Sequence, residues 1–255
     1  MADIWLTDLA HDGLSRFTLG RVLNSAPIWS PDGTRIVFRT TRGGGNVEFY
    51  EKSSAGGGEE QPVLLHAGER AAGMQSSNLY ALDWSSDGRY ILYSVTPSSG
   101  QELWLLPLAN RKPFRLLVAS GGGVNASFSP DGRLVAYTSD ESGRLEVYIQ
   151  TFPLSNRKWT VSTNGGLEPR WRADGHEIYY LSEDRKLMAA RVGPGPSFDV
   201  PKPLFQTRAV ASMTGFRMHY IPSRDGRRFL VNTQSSDTVP APITVELNWT
   251  AGLKR

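Results

Sequence analysis

The chain has no cysteine. That removes disulfide frameworks and thiolate chemistry from consideration, and it fits the cytosol and an extracytoplasmic protein alike. No apolar run is long. The longest, such as "YALDW" and "LWLLPLA", fall far short of the ~20 residues a membrane-spanning helix needs, so no membrane contact by this chain is expected. No charged-then-apolar leader opens the sequence: "MADIWL" reads as an initiator followed directly by a strand, as in a piece excised from something longer. Charge of one sign is also lacking. Net charge is +3, from 28 basic and 25 acidic residues. The basic residues are scattered ("RTTRGGG", "NRKPFR", "SNRKW", "RDGRR"), whereas a nucleic-acid-binding surface would cluster them. What remains is 255 residues, enough to bury roughly 70–75% of the unfolded surface without staples.

What is present is repetition. "WSPDGTRIVF" begins at Trp29, "WSSDGRYILY" at Trp84, "FSPDGRLVAY" at Phe128, "WRADGHEIYY" at Trp171 and "PSRDGRRFLV" at Pro222. The aspartates Asp32, Asp87, Asp131, Asp174 and Asp225 are spaced by 55, 44, 43 and 51 residues. A period in the forties with short alternating strands points to propeller blades. Each copy reads as strand, turn, strand. In the first, Pro31 presets φ, Asp32 tolerates the next turn position, and Gly33 takes positive φ. After the turn, Ile36 and Phe38 point to a core, as do Ile91 and Tyr93, Val135 and Tyr137, Ile178 and Tyr180, Phe229 and Val231. Asp12-Gly13 lacks both the preceding aromatic and the following alternation.

Third and fourth strands follow: "NVEFYEK" and "QPVLLHA", "ELWLLPL" and "FRLLVA", "LEVYIQTF" and "KWTVST", "KLMAARV" and "KPLFQT". The last unit has only "ITVELNW". The longer intervals hold "EKSSAGGGEEQP", flexible by composition, and "VGPGPSFDVPKP", barred by proline from a sheet interior. "DIWLTDL" and "LSRFTLG" look like third and fourth strands of a unit without a hairpin. The expected fold is therefore all-β: a β-propeller of five four-stranded blades, with six blades, one incomplete, as the alternative. It forms one domain over 1–255. Its repeat units span roughly 25–70, 78–120, 122–164, 165–209 and 216–255, and strands within 3–20 close it so that no sheet edge is left raw.

The stretch "SPDGRLVAYTSDESGRLEVYIQTFP" resembles the TolB-type propeller repeat, a Pro-Asp relative of the WD repeat, and the resemblance covers nearly the whole chain. The tail, from "WRADGHEIYYLSEDRKLMAARV" through "FDVPKPLF" and "FLVNTQ" to "ITVELNWTAGLKR", is similar to the C-terminal propeller regions of bacterial receptor-like serine/threonine kinases. There the propeller follows a cytoplasmic kinase domain and a membrane span and is thought to sense or to bind proteins. That resemblance implies an extracytoplasmic location, with the cytoplasm as the alternative. No kinase motif is present here: no Gly-rich nucleotide loop, no "HRD", no "DFG". Pro222 replaces the repeat aromatic and Ser86 replaces the proline, which weakens single blades.

In a propeller the innermost strand of each blade lines a central channel, with side chains alternating between channel and core. Taking the residue three before each aspartate as core places Ala26 and Ile28, Ala81 and Asp83, Asn125 and Ser127, Glu168 and Arg170, His219 and Ile221 toward the channel. The candidate ligand-binding residues are Asp83, Asn125, Ser127, Glu168, Arg170 and His219. The alternative is that Glu168, Arg170 and Asp83 satisfy one another around trapped water, since buried charges must be paired. Asp83, Asn125 and Glu168 offer oxygen ligands for Ca²⁺, an arrangement six-bladed lactonases use, but Arg170 opposes a cation. "SDESG" at 139–143 reads as a hairpin loop. No G-x-S-x-G occurs, so this is not the hydrolase half of a propeller peptidase. Of His11, His66, His176 and His219, only His219 has a channel position. Trp29, Trp84 and Trp171 share one repeat position and are expected in the core. Trp5, Trp104, Trp159 and Trp249 fall on third or fourth strands.

These readings converge on a non-catalytic, monomeric module without cofactor or resident metal, binding a protein or a small polar ligand, and not nucleic acid, as the sensing part of a bacterial signalling protein. Two alternatives stay open: a metal-dependent hydrolase or lactonase with its ion in the channel, and an isolated or engineered propeller fragment without activity.

Overall fold

In the computed structural model, residues 2–8, 11, 13–43, 46–65, 79–96, 100–119, 125–153, 155, 157–195, 197–209, 218–233 and 245–246 are described. They belong to two compact units, Met1–Val118 and Ala119–Arg255. Among the described residues no helix is long and apolar enough to cross a membrane.

In the first unit β1 (Trp5–Asp8) and β2 (Gly13–Arg16) form a hairpin. An antiparallel four-stranded sheet follows, in chain order β3 (Asn24–Trp29), β4 (Arg35–Gly43), β5 (Asn46–Ser53) and β6 (Gln61–Leu64). A second contains β7 (Leu79–Trp84), β8 (Tyr90–Val95), β9 (Gln101–Pro107) and β10 (Phe114–Ala119). The second unit repeats the plan with β11 (Ala126–Phe128), β12 (Leu134–Ser139), β13 (Glu146–Thr151) and β14 (Lys158–Thr160). Next come β15 (Leu167–Trp171), β16 (Glu177–Leu181), β17 (Lys186–Gly193), β18 (Ser197–Phe198) and β19 (Lys202–Gln206), where β18 and β19 both pair with β17. The described part of the last sheet is β20 (Tyr220–Pro222), β21 (Phe229–Val231) and β22 (Val245–Glu246).

The repeated turn explains the repeated hairpin. Ser30 Oγ donates to Asp32 Oδ1 at 2.6 Å, the Thr34 N–H donates to the same oxygen at 3.0 Å, and Ser30 Oγ accepts the Arg35 N–H at 2.9 Å. Gly33, at φ 71°, closes on the Ser30 carbonyl at 2.9 Å. Serine and aspartate thus give the turn its backbone partners before any tertiary contact forms. Ser85 with Asp87, Ser129 with Asp131 and Ser223 with Asp225 repeat the set. In the fourth copy Arg172 stands where the serine is, and its Nε donates to Asp174 at 2.7 Å. The loop at 139–143 is the hairpin turn read from the sequence, closed by the Gly143 N–H on the Asp140 carbonyl at 2.8 Å.

All ten expected core residues, from Ile36 and Phe38 to Phe229 and Val231, are buried. So are Val37, Leu92, Ala136 and Tyr179 between them. In the sheets that open with β3, β7, β11 and β15 the second strand is therefore covered on both faces, whereas Leu230 of β21 is only half-buried. One face of β16 joins β12 and β13 in a cluster with Ala136, Val147, Ile149 and Trp171. Its other face meets Tyr220, Phe229 and Val231. In the first unit the N-terminal segment does the covering: Ile4 and Phe17 pack on Ile36 and Phe38, with Phe17 edge-on to Phe38 at 6.1 Å. This cover stops short of Trp29, which is 53% exposed against 5% for Trp84 and 8% for Trp171. The core assignment holds for the last two and is corrected for Trp29. Trp5 is exposed on β1, and Trp159 lies half-buried beside the second-unit core. Trp249 and His66 lie outside the described residues.

Candidate functional site

The site forms in the second unit, where β15 meets the start of β20. Leu167 pairs with Leu181 and Arg170 with Tyr179, so β15 carries one extra residue between them. Glu168 occupies that bulge at φ 56°. A bulge re-aims a side chain, and a non-glycine residue in the left-handed region costs about 1–2 kcal/mol that its surroundings must offset. Here the offset is visible. Glu168 Oε2 accepts the His219 backbone N–H at 2.8 Å, and Oε1 pairs with His219 Nδ1. The Glu168 carbonyl accepts the Tyr220 hydroxyl at 2.8 Å. Glu168 and His219 are 4% and 2% exposed. The carboxylate therefore clamps one inner strand to the next and fixes the imidazole through Nδ1, leaving Nε2 pointing away from Glu168.

A second set of bonds centres on the Pro169 carbonyl. Ser127, from β11, donates to it through Oγ at 3.0 Å. Arg170 Nη1 donates to it at 3.3 Å. Trp171 Nε1 returns a bond to the Ser127 carbonyl at 3.3 Å. The neighbouring inner strands are thus stitched in both directions. Two buried nitrogens of this cluster are left over: among the described residues Arg170 Nη2 and His219 Nε2 have no hydrogen-bond partner. Burial pushes the Tyr220 phenol well above its ordinary pKa, and the positive charge of Arg170 opposes that rise. Tyr220 thus stays a protonated donor to Glu168, and Arg170 lies within electrostatic reach of it.

Of the six residues singled out from the sequence, Ser127, Glu168, Arg170 and His219 come together here. Asn125 is buried at the head of β11, where its carbonyl accepts the Thr138 N–H at 2.9 Å. Asp83 lies in the first unit, paired with Leu92 just after the bulge of β7 that falls between Ala81 and Asp83, and its side chain accepts the Trp84 N–H at 2.9 Å. Glu168 is satisfied by His219, and among the described residues no salt bridge joins it to Arg170. Strict alternation also fails at these positions. β3 carries an equivalent bulge between Ser25 and Ile28, with Ala26 at φ 50°. Sequence reasoning missed Tyr220, whose only mark is its place beside His219. His176 lies after its turn, its side chain 74% exposed, within 3.3 Å of Asp174. Among the described residues no group of three or more His, Asp or Glu side chains is placed to hold a metal ion. A surface recess of about 370 Å³ is lined by Arg172, His176, Glu177, Arg191 and Asp199, but Arg172 is already held by Asp174 and Glu177.

Antiparallel sheets, three of them four-stranded, that recur along the chain and open with the same hairpin are the mark of a propeller-repeat protein. Comparison with known proteins makes the class more specific. The solved structure of TolB from Acinetobacter baumannii superposes with a TM-score of 0.69 at 18% identity, over 91% of this chain and 54% of that one. That likeness shows the fold, a TolB-like β-propeller. The Tol-Pal system protein TolB of Anaeromyxobacter dehalogenans is 30% identical over 139 residues, which is 54% of this chain and 29% of that protein. The chain spans 29–36% of the length of the curated relatives it matches first. An oligogalacturonate lyase in complex with manganese shares the fold at a TM-score of 0.59 and 14% identity, over 93% of this chain and 66% of that one. No protein-family profile matches the chain.

Proposed function

We propose that the chain is a non-catalytic recognition module of a bacterial envelope protein, built as five blades closed by strands within 3–20. Six blades, one incomplete, is the alternative count. Its place is extracytoplasmic, within a longer membrane-anchored signalling protein. It binds a protein partner or a small polar ligand through Asn125, Ser127, Glu168, Arg170 and His219 of the second unit. The observation that carries this reading is the 30% identity to a Tol-Pal system protein over 139 residues. Support comes from the Glu168–His219–Arg170 cluster. Its polar groups sit on rigid strands, and such placement serves recognition.

The test is capture. The immobilised chain is offered solubilised bacterial envelope proteins. The expected result is one protein held saturably by the wild type and released by a Glu168→Gln, Arg170→Met, His219→Asn variant of equal stability. Equal retention by that variant removes these residues from the reading. Melting with and without Ca²⁺ or Mn²⁺ tests the rival class: the Tm is expected not to move. A rise of several degrees would favour the metal-dependent hydrolase, because an ion that binds only the folded state stabilises it.

A further inference from the structure

The first unit carries a basic recess beside the N-terminal segment. Lys52 stands opposite Ile36 across β4 and β5, so it shares the sheet face that Ile4 and Phe17 cover. Its ammonium lies over the Phe17 ring at 5.2 Å and donates to the Phe17 carbonyl at 3.0 Å. A long side chain leaving a covered face rests its stem on apolar surface in this way. Arg42 is fixed too: its guanidinium lies over Tyr50 at 4.5 Å and pairs with Glu60. Both cations line a recess of about 540 Å³, together with Leu19, Arg21, Glu59 and Glu60.

The charges of this recess do not cancel. Three cations meet two carboxylates. Glu60 is taken by Arg42, and Glu51, next to Lys52 in the chain, is taken by Arg35. Among the described residues neither Lys52 nor Arg21 is in an ion pair. Lys52 gives one N–H to Phe17 and keeps the others, and Arg21 keeps its whole donor fork. Leu19, on the same recess, is 66% exposed. The surplus is one positive charge, which one carboxylate matches. A phosphate group would bring about 1.5–2 negative charges next to Glu59 and Glu60. A small carboxylate alone would leave Leu19 in water, whereas an acid flanked by an apolar side chain covers it. We propose that this recess is the docking site for an acidic segment of a partner protein, whose Asp or Glu side chain is received by Lys52 and Arg21 and whose neighbouring apolar side chain lies on Leu19. It goes beyond the recognition reading above, which places binding in the second unit.

The experiment is an NMR titration of the ¹⁵N-labelled chain, following the backbone amides of Leu19, Arg21 and Val22 at constant ionic strength. The probe is acetyl-Leu-Glu-Leu-amide, against acetyl-Leu-Gln-Leu-amide, sodium acetate and inorganic phosphate. The Glu peptide is expected to give a saturable shift, the Gln peptide none, and acetate and phosphate responses at least about tenfold weaker. Lys52→Met keeps an apolar stem for Phe17 and is expected to weaken the peptide response at least about tenfold, the loss of one charge-assisted hydrogen bond. Arg21→Gln, at an exposed position, is expected to weaken it about threefold, as an exposed ion pair does. No saturable shift, or an equal one with the Gln peptide, overturns the proposal on wild-type protein alone. Phosphate binding as tightly as the Glu peptide overturns the carboxylate, and acetate doing so overturns the contact on Leu19. An unweakened response in folded Lys52→Met overturns the site itself, and in Arg21→Gln it removes Arg21 from it. None of these residues belongs to the second-unit cluster, so a negative titration beside positive capture sinks this docking site and leaves the recognition reading standing.

Discussion

The two units join neighbouring sheets differently. In the first, arginines of β4 lie over aromatics of β7: Arg35 over Trp84 at 5.0 Å and Arg39 over Tyr80 at 4.5 Å. In the second, hydrogen bonds do the joining, through Ser127, Glu168, His219 and Tyr220. A cation over a ring tolerates sliding and asks for no fixed partner atom. A buried hydrogen-bond network is directional, and each unfilled atom in it is costly. The lesson is that one repeat supports two kinds of sheet contact, one tolerant of sliding and one directional.

The largest test of that contrast is at the shared tryptophan. Trp171→Ala removes an indole that is 8% exposed and packed on Val147 and Ile149, and urea unfolding should show a loss of about 3–5 kcal/mol. Trp29→Ala, at 53% exposure, should cost within about 1 kcal/mol. Equal losses would mean that Trp29 is covered after all. Next comes Glu168→Ala, which strands the His219 backbone N–H and Nδ1 in a buried site and should cost about 3 kcal/mol. Glu168→Gln keeps one acceptor oxygen and should recover part of it. Arg39→Leu in the first unit removes a stacked cation and should cost only about 1 kcal/mol.

The sequence carried much of this, because turn chemistry is local. The hairpins at Asp32, Asp87, Asp131, Asp174 and Asp225 follow from three adjacent residues each, and the strands after them from alternation. The bulges left no mark. Ala26 and Glu168 are neither glycine nor asparagine, yet both sit at positive φ, so a parity count across them could not know that an extra residue intervenes. The hairpin after β16 was hidden for the same reason. Arg185, at φ 64°, stands where a glycine would be, while Ser182 and Asp184 make the usual 2.6 Å bond. Trp29 was misplaced because burial depends on what covers a face, and a repeat records only the face. Ser127, Glu168, Arg170 and His219 were legible as inner-strand polar residues. That Glu168 would engage His219 was not, since their contact spans 51 residues.

A smaller effect separates two glycines of the same turn. Gly33 and Gly226 both have positive φ, 71° and 68°. A Cβ on Gly33 would meet nothing within 4 Å, whereas one on Gly226 would come within 2.2 Å of the Tyr179 hydroxyl and 2.7 Å of Arg172 Cδ. Gly33→Ala should therefore cost about 1 kcal/mol, the left-handed strain alone. Gly226→Ala should cost about 2–3 kcal/mol, because Tyr179 is buried and cannot swing aside. A matching pair of losses in thermal unfolding would show that Tyr179 is not fixed.

The smallest effect lies in the turn carboxylates and acts through pH. Ser30 and the Thr34 N–H hold Asp32 down to a pKa of about 2. Arg172, then the His176 N–H, hold Asp174 below the ordinary carboxylate range. A carboxylate whose folded pKa is depressed adds stability above its unfolded pKa of about 4, and that stability is lost as pH falls through the folded value. Unfolding free energy should therefore decline between about pH 4 and pH 2, and Asp32→Asn or Asp174→Asn should each flatten that decline. Salt distinguishes the two. The main partner of Asp174 is a charge at the surface, which is screened, so its share should shrink in high salt. The partners of Asp32 are a hydroxyl and a backbone amide, so its share should persist. If both shares shrink alike, Arg35, whose charge also lowers Asp32, matters more to the first turn than Ser30 does.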